Sequence, residues 1–307
     1  MASNSRSLDL SGLALTVLCC AFWGGNAVAV KFTVPDLPAI GCAGIRFLIA
    51  LPLLFAYCRW AGHALTLPRP LWRLMALHVA ITVIQIGSFN WGTSLSLAGR
   101  SSAFINIHPL IVAPLAWTLL GERASWRGVS GLVAATLGVA VLLWEPLSRG
   151  GDLTGDLVVL ASGMIFGAQT VFQKATFHLI SAPAMLFWQT LLGAPTFFAL
   201  SLVFEGPESY HFTTQAMWGV LYQGVAVSCF CFMTWMVLLH RYRASQLAPL
   251  AFLTPMFGIT FGALMRGETL TWPLLAGGSL IGVGIYLAAF TPSTATSTLA
   301  SQGEPSL

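Results

Sequence analysis

The stretch Phe22–Phe32, FWGGNAVAVKF, returns in altered form at Ile165–Ala175, IFGAQTVFQKA. At an offset of 143 positions Gly24 falls on Gly167, Asn26 on Gln169, Val28 on Val171 and Lys31 on Lys174. Each copy ends a long apolar run, and each interrupts it with small residues and one amide. Matched glycine and polar steps in two halves of a hydrophobic chain point to a ligand site between inverted repeats. Glycines also make the notches at which helices cross closely in lipid. Both readings stand for Gly24 and Gly167. For Asn26 and Gln169, whose amides need polar company, a cavity is expected.

Composition sets the wider frame. Hydrophobic residues make up 56% of the 307 positions and charged ones 8%, where a soluble chain carries about 25% charged residues. Mean hydropathy is +0.80, so the chain is expected to be an integral membrane protein. At about 20 apolar residues per span it has room for roughly ten spans and little else. No soluble catalytic or nucleic-acid-binding domain fits in the remainder, and the net charge of +4 reflects loop arginines. Cys19, Cys20, Cys42, Cys58, Cys229 and Cys231 lie in or beside apolar runs without further metal-ligand company. They read as small apolar fillers, with no metal, no cofactor and no catalytic residue expected. The first run reaches Lys31 without a small-residue cleavage site, so it reads as a retained span.

Hydropathy cut at Pro, Gly and charge clusters predicts helices over 11–31, 38–58, 71–95, 101–121, 127–145, 153–174, 181–204, 214–239, 245–266 and 272–290. Residues 1–10 and the Ser/Thr-rich 291–307 read as disordered cytoplasmic tails. With the N-terminus inside, Arg6, Arg59, Arg69, Arg73, Arg123, Arg127, Lys174, Arg241 and Arg243 fall on the cytoplasmic side. Lys31, Arg100, Arg149 and Arg266 fall outside. That bias places both termini in the cytoplasm.

The repeat is clearest further along. At an offset of 146, Pro109 falls on Pro255, Gly121 on Gly267, Glu122 on Glu268, Trp126 on Trp272, Gly131 on Gly277 and Gly138 on Gly284. The fold class expected is therefore an all-α polytopic membrane protein with ten transmembrane helices in two five-helix repeats, 11–147 and 153–290. Five is odd, so the second copy enters the membrane from the opposite side, the frame of alternating access.

These residues carry a resemblance. Two five-helix copies, each opening near W/F-G-x-N/Q and closing with P…G-E-x…W…G, resemble the EamA family of the drug/metabolite transporter superfamily. Arg46-Phe47-Leu48 and LLGER at Leu119–Arg123 are similar to its first-repeat pattern. The second repeat departs from it: Gln189 stands where Arg46 would recur, and Thr269 follows Glu268. The resemblance spans about Leu10 to Phe290 and implies a bacterial inner-membrane exporter of amino acids or similar small metabolites.

Polar groups inside spans are the candidate site. Arg46 lies within the second helix with no carboxylate evident at its depth. It reads either as an anchor for a substrate carboxylate or as a structural arginine capping carbonyls or snorkelling. His78, Thr82, Gln85 and Phe89 share one helical face. The positions 144 further on, Tyr222, Ala226, Cys229 and Met233, would form a softer opposite wall. Interhelical hydrogen bonding is the structural alternative for His78. Asn106 and His108, just before Pro109, serve either a carbonyl freed by the proline or a substrate. Glu122 and Glu268 at helix ends read as exposed ion pairs. Trp23, Trp91, Trp188 and Trp235 lie away from the interfacial belts, and Trp91 matches Trp235. They either stack on an apolar substrate moiety or fill the bundle. The substrate-binding set is thus Trp23, Asn26, Arg46, His78, Thr82, Gln85, Trp91, His108, Gln169, Gln189, Tyr222 and Trp235. An intramembrane enzyme would need a nucleophile or metal motif, and neither G-x-S-x-G nor H-E-x-x-H occurs. A scaffold would need an interaction surface that such short loops do not offer. The expected partners are a small-molecule substrate, a neutral or aromatic/apolar amino acid, and the lipid bilayer. No nucleic acid and no obligatory protein partner are expected.

Overall fold

A computed structural model describes residues 9–108, 111, 115, 126–148, 153–176, 179–241, 250 and 253–289. The described residues are helical, with short turns and no strand. In order the helices are α1 (Leu10–Thr33), α2 (Ala39–Trp60), α3 (Trp72–Leu95), α4 (Ala98–Ile105), α5 (Trp126–Ser148), α6 (Thr154–Thr176), α7 (Ala182–Phe204), α8 (Thr214–Tyr222), a π-helix (Gln223–Cys231), α9 (Phe232–Arg241), α10 (Leu253–Arg266) and α11 (Trp272–Ala289). Among the described residues, six helical stretches are long and apolar enough to cross a membrane: Leu10–Thr33, Ala39–Trp60, Arg69–Leu95, Thr154–Gln173, Ala182–Phe204 and Thr214–Trp235. The protein is a multi-pass, all-helical membrane protein. Pro109, Gly121, Glu122 and the tail after Ala289 lie outside the described residues.

Two expected boundaries shift for identifiable reasons. The fourth helix begins at Ala98 rather than 101, because extended Leu97 caps it. The expected single helix over 214–239 contains nine residues of π-helix. There i→i+5 bonding inserts extra residues and turns everything downstream to a new face.

Helices from the first half of the chain pack mainly on helices of the second. α5 lies against α11, α2 against α7, α3 against α6, and α1 against α8 and α10. Glycines set these crossings. A Cβ on Gly138 would lie 2.7 Å from the Gly277 carbonyl oxygen, and one on Gly284 2.6 Å from that of Gly131. The offset of 146 exchanges these two contacts. Gly24 and Gly167 behave alike, for a Cβ on either would meet the carbonyl oxygen of Thr254 or His108, respectively, at 2.7 Å. Both glycines are packing notches, which decides between their two readings. α4 is seated between Gly163 of α6, against the Phe104 carbonyl, and Gly258 of α10, against Ser102. All six cysteines are free thiols, five of them fully buried.

Polar contacts gather at the end of the bundle where α1 finishes and α2 begins. Arg100, in the first turn of α4, is buried and pairs with Asp156 of α6 through Nε at 3.0 Å and Nη2 at 2.5 Å. Ser96 donates to the same carboxylate. Arg100 was expected in an outer segment, just before a helix starting at 101. The earlier start of α4 carries it into the bundle instead, where only a paired charge is tolerated. Glu268 is not in an exposed ion pair. It accepts the first-turn amides of α4, from Ala98 N at 2.6 Å and Gly99 N at 2.9 Å. Glu205 does the same for α2, accepting from Ile40 N at 2.9 Å and Gly41 N at 3.1 Å.

Gly138→Ala is expected to lower stability by about 1–3 kcal/mol, since neither backbone at that crossing can yield. Gly87→Ala is the control: its new methyl group meets only Phe197, at 3.9 Å. It should be neutral or stabilising by up to about 1 kcal/mol. Thermal unfolding of both variants in one detergent measures the contrast.

Candidate functional site

The α3 stripe is buried, as its spacing requires: His78, Thr82, Gln85 and Phe89 are all inside. Its polar members are bonded across helix interfaces. His78 Nε2 donates to Gln189 Oε1 on α7 at 2.7 Å. The Thr82 hydroxyl donates to the His78 carbonyl at 2.9 Å, so its oxygen is left to accept Gln169 Nε2 of α6 at 2.6 Å. Gln85 Nε2 donates to Ser162 Oγ at 3.0 Å, and that hydroxyl donates back to the Gln85 carbonyl at 2.7 Å. Phe172 stacks on the His78 ring at 6.0 Å. Thus the interhelical reading holds for His78, and Gln189 has a role that its departure from Arg did not suggest. Two acceptors of this network, His78 Nδ1 and Gln169 Oε1, are buried without a partner.

Arg46 is 3% exposed, and its Nε donates to Ser228 Oγ of the π-helix at 2.8 Å. Among the described residues no carboxylate lies within 4.0 Å of its guanidinium. Beside this, Tyr222 donates to the Phe22 carbonyl at 2.8 Å. An aromatic group closes around α1: Trp23 meets Trp235 at 5.4 Å and Phe232 at 6.0 Å, while Phe22 meets Tyr222 at 6.0 Å and Phe230 at 5.7 Å. Trp91, the sequence match of Trp235, is 50% exposed and points away from this group. The reason is the π-helix. Its buried positions run Gln223, Gly224, Val227, Ser228 and Cys231, close to every fourth residue, so faces beyond it no longer align with those of α3. Of the expected opposite wall, Tyr222, Ala226 and Cys229 are half-buried and Met233 is buried.

The sequence profile of the EamA-like transporter family matches residues 10–144 and, a second time, 153–290. The chain belongs to the EamA-like transporter family. It is 27% identical to a probable amino-acid metabolite efflux pump of Salmonella typhimurium, over 90% of this chain and 94% of that one. It is equally similar to the Escherichia coli protein of the same description. An uncharacterized transporter of Bacillus subtilis, YoaV, is 26% identical over 88% of this chain and 93% of its own. One crystal structure aligns with a TM-score of 0.67 over 93% of this chain and 99% of the other, at 18% identity, a likeness of fold alone. This EamA-family chain is a transporter rather than an enzyme.

The remaining candidates of the transporter sit nearer the turn after α4. His108 packs edge-on against Phe166 at 5.0 Å, and its Nδ1 is buried without a partner. Asn106 donates to the Ser102 carbonyl at 2.7 Å, one turn back on α4. Asn26, half-buried on α1, holds its Oδ1 buried and unpartnered. Trp188 donates from Nε1 to the Leu65 carbonyl at 2.9 Å and rests on Trp72, so it fixes a loop. Ser162, Ser228 and fully buried Gln223, which reaches Thr33 at 3.4 Å, were not singled out from the sequence. The available signal was a polar residue within an apolar run, which is costly in lipid without a partner.

A double-mutant cycle on His78→Leu and Gln189→Leu is expected to give a coupling of about 0.6 kcal/mol and at most about 1.7. The double variant should be more stable than the sum of the single losses predicts, because neither leaves the other unpaired. Unfolding in mixed micelles reads this.

Proposed function

We propose that this protein exports neutral amino acids, especially those with aromatic or bulky apolar side chains, by alternating access between two inverted five-helix repeats. It would do so in a bacterial inner membrane with both termini in the cytoplasm. The observation that carries the reading is Arg46. A guanidinium buried beside a neutral serine is an uncompensated charge, and a substrate carboxylate is the anion that complements its fork geometry. The aromatic group of Trp23, Trp235, Phe22 and Phe232 offers an apolar wall for the side chain. Asn26, Tyr222, His108 and Gln169 supply polar contacts nearby in the bundle, with His78, Thr82, Gln85 and Gln189 holding α3 against α6 and α7. Trp91, facing outward, is left out. The reciprocal glycine crossings and the twice-matched family profile support two like halves. The names of the Salmonella and Escherichia relatives support the cargo class and the direction.

Proteoliposomes test this with labelled phenylalanine or leucine set against phenethylamine, which lacks the carboxylate. The amino acids should move well above empty vesicles and the amine should not. Arg46→Gln should cut amino-acid flux by about tenfold or more, the effect of losing one charged hydrogen-bonding partner, with the fold retained. Trp91→Ala should leave it unchanged. Equal transport of amine and acid, or full flux in Arg46→Gln, would overturn the anchor role.

A further inference from the structure

The turn of α6 from Gln169 to Phe172 lies on the turn of α3 from His78 to Thr82. Gln169 Nε2 donates to Thr82 Oγ1 at 2.6 Å, and the Phe172 ring stacks on the His78 imidazole with 13° between their planes. Proton accounting fixes which atoms remain. His78 Nε2 gives its hydrogen to Gln189 Oε1, so Nδ1 carries a lone pair and no hydrogen. The single Thr82 hydroxyl hydrogen goes to the His78 carbonyl, so the Thr82 oxygen must accept. That turns the Gln169 nitrogen toward Thr82 and leaves Oε1 as a second acceptor. Among the described residues neither His78 Nδ1 nor Gln169 Oε1 has a donor, although His78 is only 1% and Gln169 3% exposed. Burying an acceptor without a donor is costly, and one helix contact here buries two.

We propose that His78 Nδ1 and Gln169 Oε1 form an ammonium subsite, by which the protein selects α-amino acids over plain carboxylic acids. The inference deepens the export reading and rests on Arg46 as the carboxylate anchor. An alkylammonium carries several N–H donors and no acceptor, the complement of two bare acceptors. A hard metal cation fits less well, since it takes oxygen ligands throughout and Nδ1 is an aromatic nitrogen. The subsite also lies at the depth of Arg46. Phe47, next to Arg46, shares one buried cluster with Val79 and Val83, which follow His78 and Thr82 on α3. In an α-amino acid the ammonium is one carbon from the carboxylate, so a ligand held at Arg46 carries its ammonium at this level of the bundle.

Each of the two side chains uses one end to join helices and offers the other to the ligand. Gln189 sets the sign of that offer. Its oxygen takes the Nε2 hydrogen and so makes Nδ1 an acceptor. An arginine at 189, which only donates, would force Nε2 to accept and Nδ1 to donate, and Nδ1 would then repel an ammonium.

Calorimetric binding to the full chain in detergent at pH 7 tests this with L-phenylalanine against 3-phenylpropionate, which differs only in lacking the ammonium. Phenylalanine should bind about tenfold more tightly, equivalent to about 1.4 kcal/mol. Gln169→Leu should erase that difference by weakening phenylalanine alone, whereas Arg46→Gln should weaken both ligands. Equal binding of the two by the unaltered protein, or binding of neither, would overturn the subsite. So would a preference that survives in Gln169→Leu, in which case the bare oxygen serves a trapped water only. The comparison in the unaltered protein stays decisive even where Gln169→Leu fails to fold. Phenylalanine that binds with this preference but does not cross proteoliposomes would overturn export and leave the subsite standing.

Discussion

Hydrocarbon offers no hydrogen bonds, so every polar group inside this bundle depends on the protein for a partner. Hydroxyls often find it on their own helix, as Thr16 and Thr190 do, but for five central groups it comes from the other half of the chain. His78 has Gln189, Thr82 has Gln169, Gln85 has Ser162, Arg46 has Ser228, and Tyr222 has the Phe22 carbonyl. Neither half could bury these groups alone without leaving them bare, at about 1–3 kcal/mol each. The two halves are therefore parts of one folding unit, even though each is separately matched by the family profile.

Close approach and polarity are divided between different surfaces. Glycine carries the crossings of α5 on α11 and of α1 on α10, where backbone meets backbone. Such contacts hold by dispersion and lack directional bonds. Directional bonds concentrate instead on α3 with α6 and α7, and at the α1–α2 end. A bundle arranged in this way has smooth flanks and a few polar catches.

What was legible in the sequence followed from periodicity and composition. Membrane character, helix positions to within a few residues, the α3 stripe and the paired glycines all repeat along the chain. What was missed depends on partners that spacing does not reveal. Glu268 reads as a surface charge until α4 is seen starting beneath it, and Arg100 reads as a loop residue until Leu97 is seen to cap that helix three residues early. Trp91 and Trp235 match as letters but not as positions, because the π-helix between Gln223 and Cys231 changes the turn.

The departures from internal symmetry are the more informative part of the chain. Were Gln189 an arginine like Arg46, α2 and α7, which pack together, would bring two cations into one apolar core with no carboxylate to balance them. Gln189 removes that conflict and gives His78 an acceptor. The cost is that the two halves no longer present the same chemistry to the interior: the first brings the Arg46 cation and the His78 imidazole, the second the neutral amides of Gln169 and Gln189 and the hydroxyls of Ser162 and Ser228. Under the proposed export function, a solute with one acidic group would take one orientation in the bundle, set by a substitution that in sequence looks only like a lapse from the pattern.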